Sequence, residues 1–253
     1  MKNLLSIESL TREDILAVLD DTAVMKSTRG RHAAHPLRHT CWALIFSKSS
    51  TRTRVSFEVG IRELGGDPMF LAAADIQLGR GEPIKDTARV MGRMLHGAVI
   101  RTFDQKDVEE FAEFSGIPTI NALTDEEHPC QILADLFTIR ETRSSLEGLR
   151  VAFIGDADCN VARSWIWAAA RLGFELVLAA PSKYQPPAEL LKRANANIRV
   201  TDDIQEAAKG ADVLYTDVWV SMGKEDESAY RIAQLQGYQI NAALLAAAPG
   251  ALV

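Results

Sequence analysis

The stretch that decides the fold is Thr40–Leu64, TCWALIFSKSSTRTRVSFEVGIREL. Thr40–Phe46 is a short apolar run rich in strand-forming residues, the pattern of a buried strand. Lys48–Ser50 reads as a polar loop and Val55–Leu64 as a helix, with Gly65-Gly66 as its stop. Strand, short polar turn and helix make one half of a β-α-β unit. The turn is itself informative. Free N–H groups and the positive end of a helix dipole favour an anion at this point. Ser50, Thr51 and Thr53 add hydroxyl donors, and Arg52 and Arg54 add planar guanidinium forks suited to phosphate oxygens. The same residues also describe a serine-capped helix with solvated arginines.

The alternation continues on both sides. Upstream, Leu10, Ile15, Val18 and Leu19 fall at helical spacing after Ser9 and Thr11. Downstream, strands are expected at Met69–Ala72, Ala98–Arg101 and Pro118–Ile120. Helices are expected from Pro83 through Leu95 and over Asp107–Phe114. His128–Arg140 then reads as a long helix with Ile132, Leu133, Leu136 and Ile139 on its apolar side. After a turn-rich stretch at Thr142–Gly148 the pattern resumes. Strands are expected at Arg150–Ile154, Glu175–Ala179, Ile198–Val200 and Val213–Thr216, and helices at Val161–Leu172, Pro187–Ala194 and Ile204–Lys209. Strands alternating with helices predict an α/β fold with mostly parallel sheets. The expected division is 1–145, including a bridging helix, and 146–253.

Four further segments carry candidate chemistry. Arg101 ends a predicted strand, where open α/β sheets bind ligands. His128 and Gln131 share one face of a helix's first turn, where an imidazole and an amide can hydrogen-bond a carbonyl. A metal reading of His128-Pro129-Cys130 finds no second ligand pair at zinc spacing. Ile154–Val161 (IGDADCNV) is a strand-turn-helix junction without the G-x-G-x-x-G fingerprint of dinucleotide binding. Asp217 and Ser221 in DVWVSMG can hold an ammonium group and a carboxylate. A polar loop around a buried tryptophan fits that segment equally.

Bulk properties narrow the class. With 253 residues, 47% hydrophobic and 25% charged, the chain is long enough to bury a core without disulfides. A formal net charge of −6 argues against non-specific nucleic-acid binding. The three cysteines, Cys41, Cys130 and Cys159, form no disulfide framework, which predicts a reducing, cytoplasmic setting. No apolar run reaches the roughly 18 residues of a membrane span, and the N-terminus lacks a secretory h-region.

Five motifs in order resemble the aspartate/ornithine transcarbamylase group, and its ornithine carbamoyltransferases in particular: FSKSSTRTRVSFE, DIQLGRGEPIKDTARV, LTDEEHPCQILADL, GDADCNVARS and TDVWVSMG. The resemblance runs from about Leu4 to Val253. It implies two α/β domains, each with a mostly parallel sheet flanked by helices, and an active site in the interdomain cleft. It implies a homotrimer with sites at subunit boundaries and no metal or organic cofactor. Ser50, Thr51, Arg52 and Thr53 would bind the phosphate of carbamoyl phosphate. Arg101, His128 and Gln131 would bind its carbamoyl end, and Gln77 would reach a neighbouring subunit's site. Asn160, Asp217, Ser221 and Met222 would bind ornithine. Arg101, His128 and Arg52 are the expected catalytic residues.

The sequence departs from the family in places. Ser49 stands where a proline is common, and Asp158-Cys159 precede Asn160 in place of the usual polar pair. The family continues past the position of Val253 into a His-Cys-Leu-Pro loop, a further substrate-contacting arginine and a last helix. A C-terminally truncated member is therefore expected. Besides ornithine carbamoylation, a carbamoyl-phosphate binder without turnover fits the motifs. So does a carbamoyltransferase for putrescine or an acylated ornithine. A nicotinamide oxidoreductase lacks its glycine fingerprint.

Overall fold

The computed structural model describes residues 2–32, 34–72, 81–220 and 225–253. They form two compact units, Met1–Leu133 and Ala134–Val253.

The first unit begins with helix α1, Arg12–Ser27. Thr11 caps it: its hydroxyl accepts from the Asp14 N–H while Asp14 accepts from the Thr11 N–H. Strand β1, Cys41–Phe46, leads into helix α2, Thr51–Glu63. Then follow β2 (Asp67–Ala72), α3 (Ile84–Met91), β3 (Gly97–Arg101), α4 (Gln105–Ser115) and β4 (Thr119–Leu123). The sheet order is β2-β1-β3-β4, and every pair is parallel. Leu4 adds one parallel bridge to Ile120. Both faces of the sheet are buried. Ala43, Ile45, Ala98 and Ile100 pack with Val108 and Phe111 of α4, while Leu44 and Val99 face Ile61 of α2. Continuous apolar strands follow from that two-sided burial.

Helix α5, Pro129–Arg143, spans the division between the units. Ile132, Leu133, Leu136 and Ile139 are all buried, as the apolar pattern predicts. The second unit continues with β5 (Arg150–Ile154), α6 (Asn160–Leu172), β6 (Glu175–Ala179), a 3-10 turn at Ser182–Tyr184, α7 (Ala188–Ala194) and β7 (Ile198–Thr201). It ends with α8 (Ile204–Ala208), β8 (Val213–Tyr215), α9 (Ser228–Leu235) and α10 (Ala242–Ala247). Its sheet order is β7-β6-β5-β8, again all parallel. Trp165 of α6 is fully buried, edge-on to Phe174 and Tyr215 at 5.9 and 5.2 Å.

Several boundaries differ from those the sequence predicts, and three of them have a visible cause. Helix α2 starts at Thr51, not Val55, because Ser50 caps it, its Oγ accepting from the Thr53 N–H at 3.3 Å. Helix α3 ends at Met91 and not Leu95. Gly92 lies so close to the Ser115 carbonyl oxygen that a Cβ would stand 2.1 Å from it, and the chain tightens there into three-residue turns. Strand β4 reaches Leu123, three residues beyond Ile120, because its Asn121 and Leu123 sit opposite Ile100 and Arg101 of β3. Gln77, Ser221 and Met222 lie outside the described residues.

Candidate functional site

Both sheets reverse their strand order once, and those reversals place the candidate residues. In the first unit β1 is flanked by β2 on one side and β3 on the other. The turns leaving β1 and β3 therefore depart in opposite directions, opening a crevice at the carboxyl ends of these two strands. The crevice is bounded by residues 47–53 and by Arg101, which sits opposite Phe46 in the register. The Ser47 N–H donates to the Arg101 carbonyl at 2.8 Å, joining the two strand exits.

Ser50 anchors the first wall. Its Oγ donates to Thr53 Oγ1 at 2.9 Å, and its extended backbone (φ −162°, ψ 115°) turns the chain into α2. Thr51, Arg52 and Thr53 thus form the first helical turn, with N–H groups that have no intrahelical acceptor. Arg52 is exposed, and no described carboxylate pairs with it. Arg54 turns away. It pairs with Glu58 at 3.4 Å and stacks on the Phe70 ring at 3.7 Å, so the helix brings only one of the two arginines to the crevice.

Arg101 is the unusual residue. It is 6% exposed, its Nε has no hydrogen-bond partner, and no carboxylate among the described residues pairs with it. Burial, then the charge of Arg52, holds its pKa below the ordinary arginine range. A buried guanidinium normally has a counter-ion. Here the neighbouring charge that bears on its pKa is another cation, Arg52.

His128 follows β4 and opens α5, where its carbonyl accepts from the Gln131 N–H at 3.1 Å. Burial, reinforced by the charge of Arg101, pushes its pKa down to about 4. The ring is therefore neutral at pH 7 and can donate a hydrogen bond without adding charge. Gln131 is one turn along the same helix and partly buried. Residues 50–53, Arg101, His128 and Gln131 thus all belong to the carboxyl edge of one sheet.

Lys48 and the turn at 124–127 escaped the sequence reading. Lys48 is 6% exposed, ion-paired to Asp125 and 4.2 Å from the centre of the Phe103 ring. A lysine in a polar loop looks solvated in sequence, and the aspartate that draws it inward is 77 residues away.

In the second unit β5 lies between β6 and β8, so its reversal falls between β5 and β8. Asn160 opens α6 on one side of that point and Asp217 follows β8 on the other. The Thr216 hydroxyl ties them, donating to the Ile154 carbonyl at 2.7 Å. Asp217 accepts from the Val218 N–H at 2.8 Å. Burial, with the nearby charge of Asp156, raises its pKa. Gly155, at φ +134°, makes the bend that a side chain would strain. Cys159 is buried and caps α6 through its sulfur, and burial pushes its thiol pKa up, so it is no ready nucleophile.

Arg231 of α9 is the residue least visible in sequence. It is 4% exposed and ion-paired to the equally buried Asp156, and its Nε donates to the Trp219 carbonyl at 2.7 Å. It therefore fixes the segment that carries Asp217. Trp219 itself is only partly buried.

Comparison with known proteins gives a consistent result. Residues 2–141 match the family model "Aspartate/ornithine carbamoyltransferase, carbamoyl-P binding domain". Residues 147–253 match the model "Aspartate/ornithine carbamoyltransferase, Asp/Orn binding domain". The chain is 59% identical over 248 residues to an ornithine carbamoyltransferase of Akkermansia muciniphila, covering 97% of this chain and 81% of that one. It is 47% identical over 253 residues to that of Geobacter sulfurreducens, covering 98% and 83%. The crystal structure of the anabolic ornithine carbamoyltransferase of Campylobacter jejuni superposes with a TM-score of 0.91 at 40% identity, covering 98% of this chain and 83% of that one.

Proposed function

This chain belongs to the aspartate/ornithine carbamoyltransferase family, and from that premise we propose that it is an ornithine carbamoyltransferase. It transfers the carbamoyl group of carbamoyl phosphate to the δ-amine of L-ornithine, giving L-citrulline and phosphate. The observation that carries the reading is Arg101, a buried guanidinium with no described carboxylate partner, beside the capped N-terminus of α2 and a neutral His128. That group of donors suits a ligand that is anionic at one end and a polar carbonyl at the other.

In this assignment residues 1–145 form the carbamoyl-phosphate domain and 146–253 the ornithine domain. Ser50, Thr51, Arg52 and Thr53 hold the phosphate through hydroxyls, helix N–H groups and one guanidinium fork. Arg101, His128 and Gln131 hold the carbamoyl end. The neutral δ-amine attacks the carbamoyl carbon, and negative charge grows on the carbonyl oxygen. Arg101 and His128 donate to that oxygen, and their worth rises in a desolvated site. The C–O bond to phosphate then breaks, the attacking nitrogen gives up its surplus proton to the departing phosphate, and Arg52 with the helix N-terminus carries the leaving charge. Asn160, Asp217, Ser221 and Met222 bind ornithine. The raised pKa of Asp217 marks a carboxylate that gains from a cationic partner, which the substrate's ammonium supplies. Gln77 contributes to the site of a neighbouring subunit in a homotrimer, and the enzyme works in the cytoplasm.

The test is a coupled assay of folded protein with carbamoyl phosphate and ornithine. Citrulline is the expected product. Absence of citrulline, with thermal stabilisation by carbamoyl phosphate retained, would leave a ligand-binding protein in place of an enzyme. Preferential turnover of putrescine or an acylated ornithine would move the acceptor assignment.

A further inference from the structure

The residue before His128 is a buried carboxylate that the proposed chemistry does not use. Glu127 is 4% exposed. Its two oxygens accept the backbone N–H groups of Ile7 at 2.8 Å and Glu8 at 3.3 Å, 120 and 119 residues away in the chain. Its own backbone closes a turn with Thr124: the Thr124 N–H donates to the Glu127 carbonyl at 2.9 Å, and the Glu127 N–H donates to the Thr124 hydroxyl at 3.2 Å.

The partners of Glu127 are themselves fixed. The Leu5 carbonyl accepts from the side-chain amides of Asn121 at 2.9 Å and Gln105 at 3.1 Å. Ile7 is fully buried. The same turn is held on its other side by the Asp125 N–H, which donates to the Phe103 carbonyl at 2.8 Å, and by the Lys48–Asp125 ion pair. His128 leaves this turn directly and enters α5, so its backbone has no slack on either side. The carboxylate of Glu127 makes its ties from the position adjoining the imidazole.

We propose that Glu127 is a positioning residue for His128: its carboxylate clamps the N-terminal segment at Ile7–Glu8 to the 124–127 turn and thereby sets the place of the imidazole. This rests on the assignment of His128 to the carbamoyl oxygen. A glutamine cannot replace the clamp, because its NH2 group would face one of the two N–H donors. A shift on the order of 1 Å in a catalytic group costs up to about 100-fold in rate.

The experiment is a double-mutant cycle in the full chain with Glu127→Gln, His128→Ala and the double variant, read as kcat and as KM for each substrate. Glu127→Gln is expected to lower kcat about tenfold or more, to leave the KM for ornithine within about twofold, and to add nothing to His128→Ala. Glu127→Asp, which keeps both acceptors on a shorter arm, carries the same cycle if the amide variant does not fold. A kcat unchanged by loss of the clamp, or a loss that multiplies with that of His128→Ala, overturns the inference alone. Unchanged kcat in His128→Ala overturns the site assignment and the inference with it.

Discussion

A guanidinium buried without a carboxylate costs stability, and Arg101 is retained at that cost. Arg101→Met should therefore raise the melting temperature, by on the order of 1 kcal/mol of stability, while lowering kcat/KM about 100-fold or more. Differential scanning calorimetry and citrulline kinetics on the same samples check both signs. His128 predicts a pH effect of the opposite kind. Its pKa falls from 6.5 to about 4 on folding, so at pH below 6.5 the unfolded state takes up a proton that the folded state refuses. The associated stability is whole above pH 6.5 and is lost as pH falls to about 4. At about 1.4 kcal/mol per unit this is on the order of 3–4 kcal/mol. His128→Asn should flatten that part of the stability profile in urea titrations. At this scale the sequence is legible only in part. In sequence Arg52 and Arg54 are equivalent, because the local pattern predicts a helix that begins only at Val55. Once Thr51 is its first residue, positions two apart face different ways, and Arg54 goes to Phe70 and Glu58. Arg231, Glu127 and Lys48 were out of reach, since each is buried by partners tens of residues away that a local pattern does not connect.

Elements were the most legible level. Short runs bounded by turns mark all eight strands of the described residues, and in β1, β3, β5 and β6 the runs are mostly apolar because both faces of the sheet are covered there. Strand order was not legible, since nothing in the composition of β3 says that it pairs with β1 and not β2. The reversal that makes the crevice is a property of pairing. Two substitutions probe single elements. Ser50→Ala removes the cap of α2 and should cost about 1 kcal/mol, with weaker phosphate binding measured by calorimetric titration. Gly97 starts β3 against the ring of Trp42, where an added Cβ would stand 2.5 Å from ring carbon. Gly97→Ala should cost about 1–3 kcal/mol by overpacking. Pairing it with Trp42→Leu should recover part of the loss, and a fully additive pair in chemical denaturation would contradict the contact.

The molecule as a whole is two independently cored α/β units, each with one strand-order reversal and its candidate residues beside it. That division of labour has a measurable consequence. Phosphate held by the first unit should raise its melting point, by about 2.7 kcal/mol of stability at a hundredfold excess over Kd. Arg231→Met should instead destabilise the second unit by about 3–5 kcal/mol, because Asp156 is left buried and unpaired, and Asp156→Asn in the same chain should restore much of it. The four tryptophans of the chain are Trp42, Trp165, Trp167 and Trp219, so the first unit carries one and the second carries three. Trp42 lies flat enough on Gly97 for its ring to be the nearest thing a new side chain would meet, at the head of the strand that ends in Arg101. Its emission is thus a built-in optical gauge of that strand. Subtracting the spectrum of a Trp42→Phe protein isolates it, and lets the unfolding of the first unit be followed by light alone, in the presence of the second and without a label.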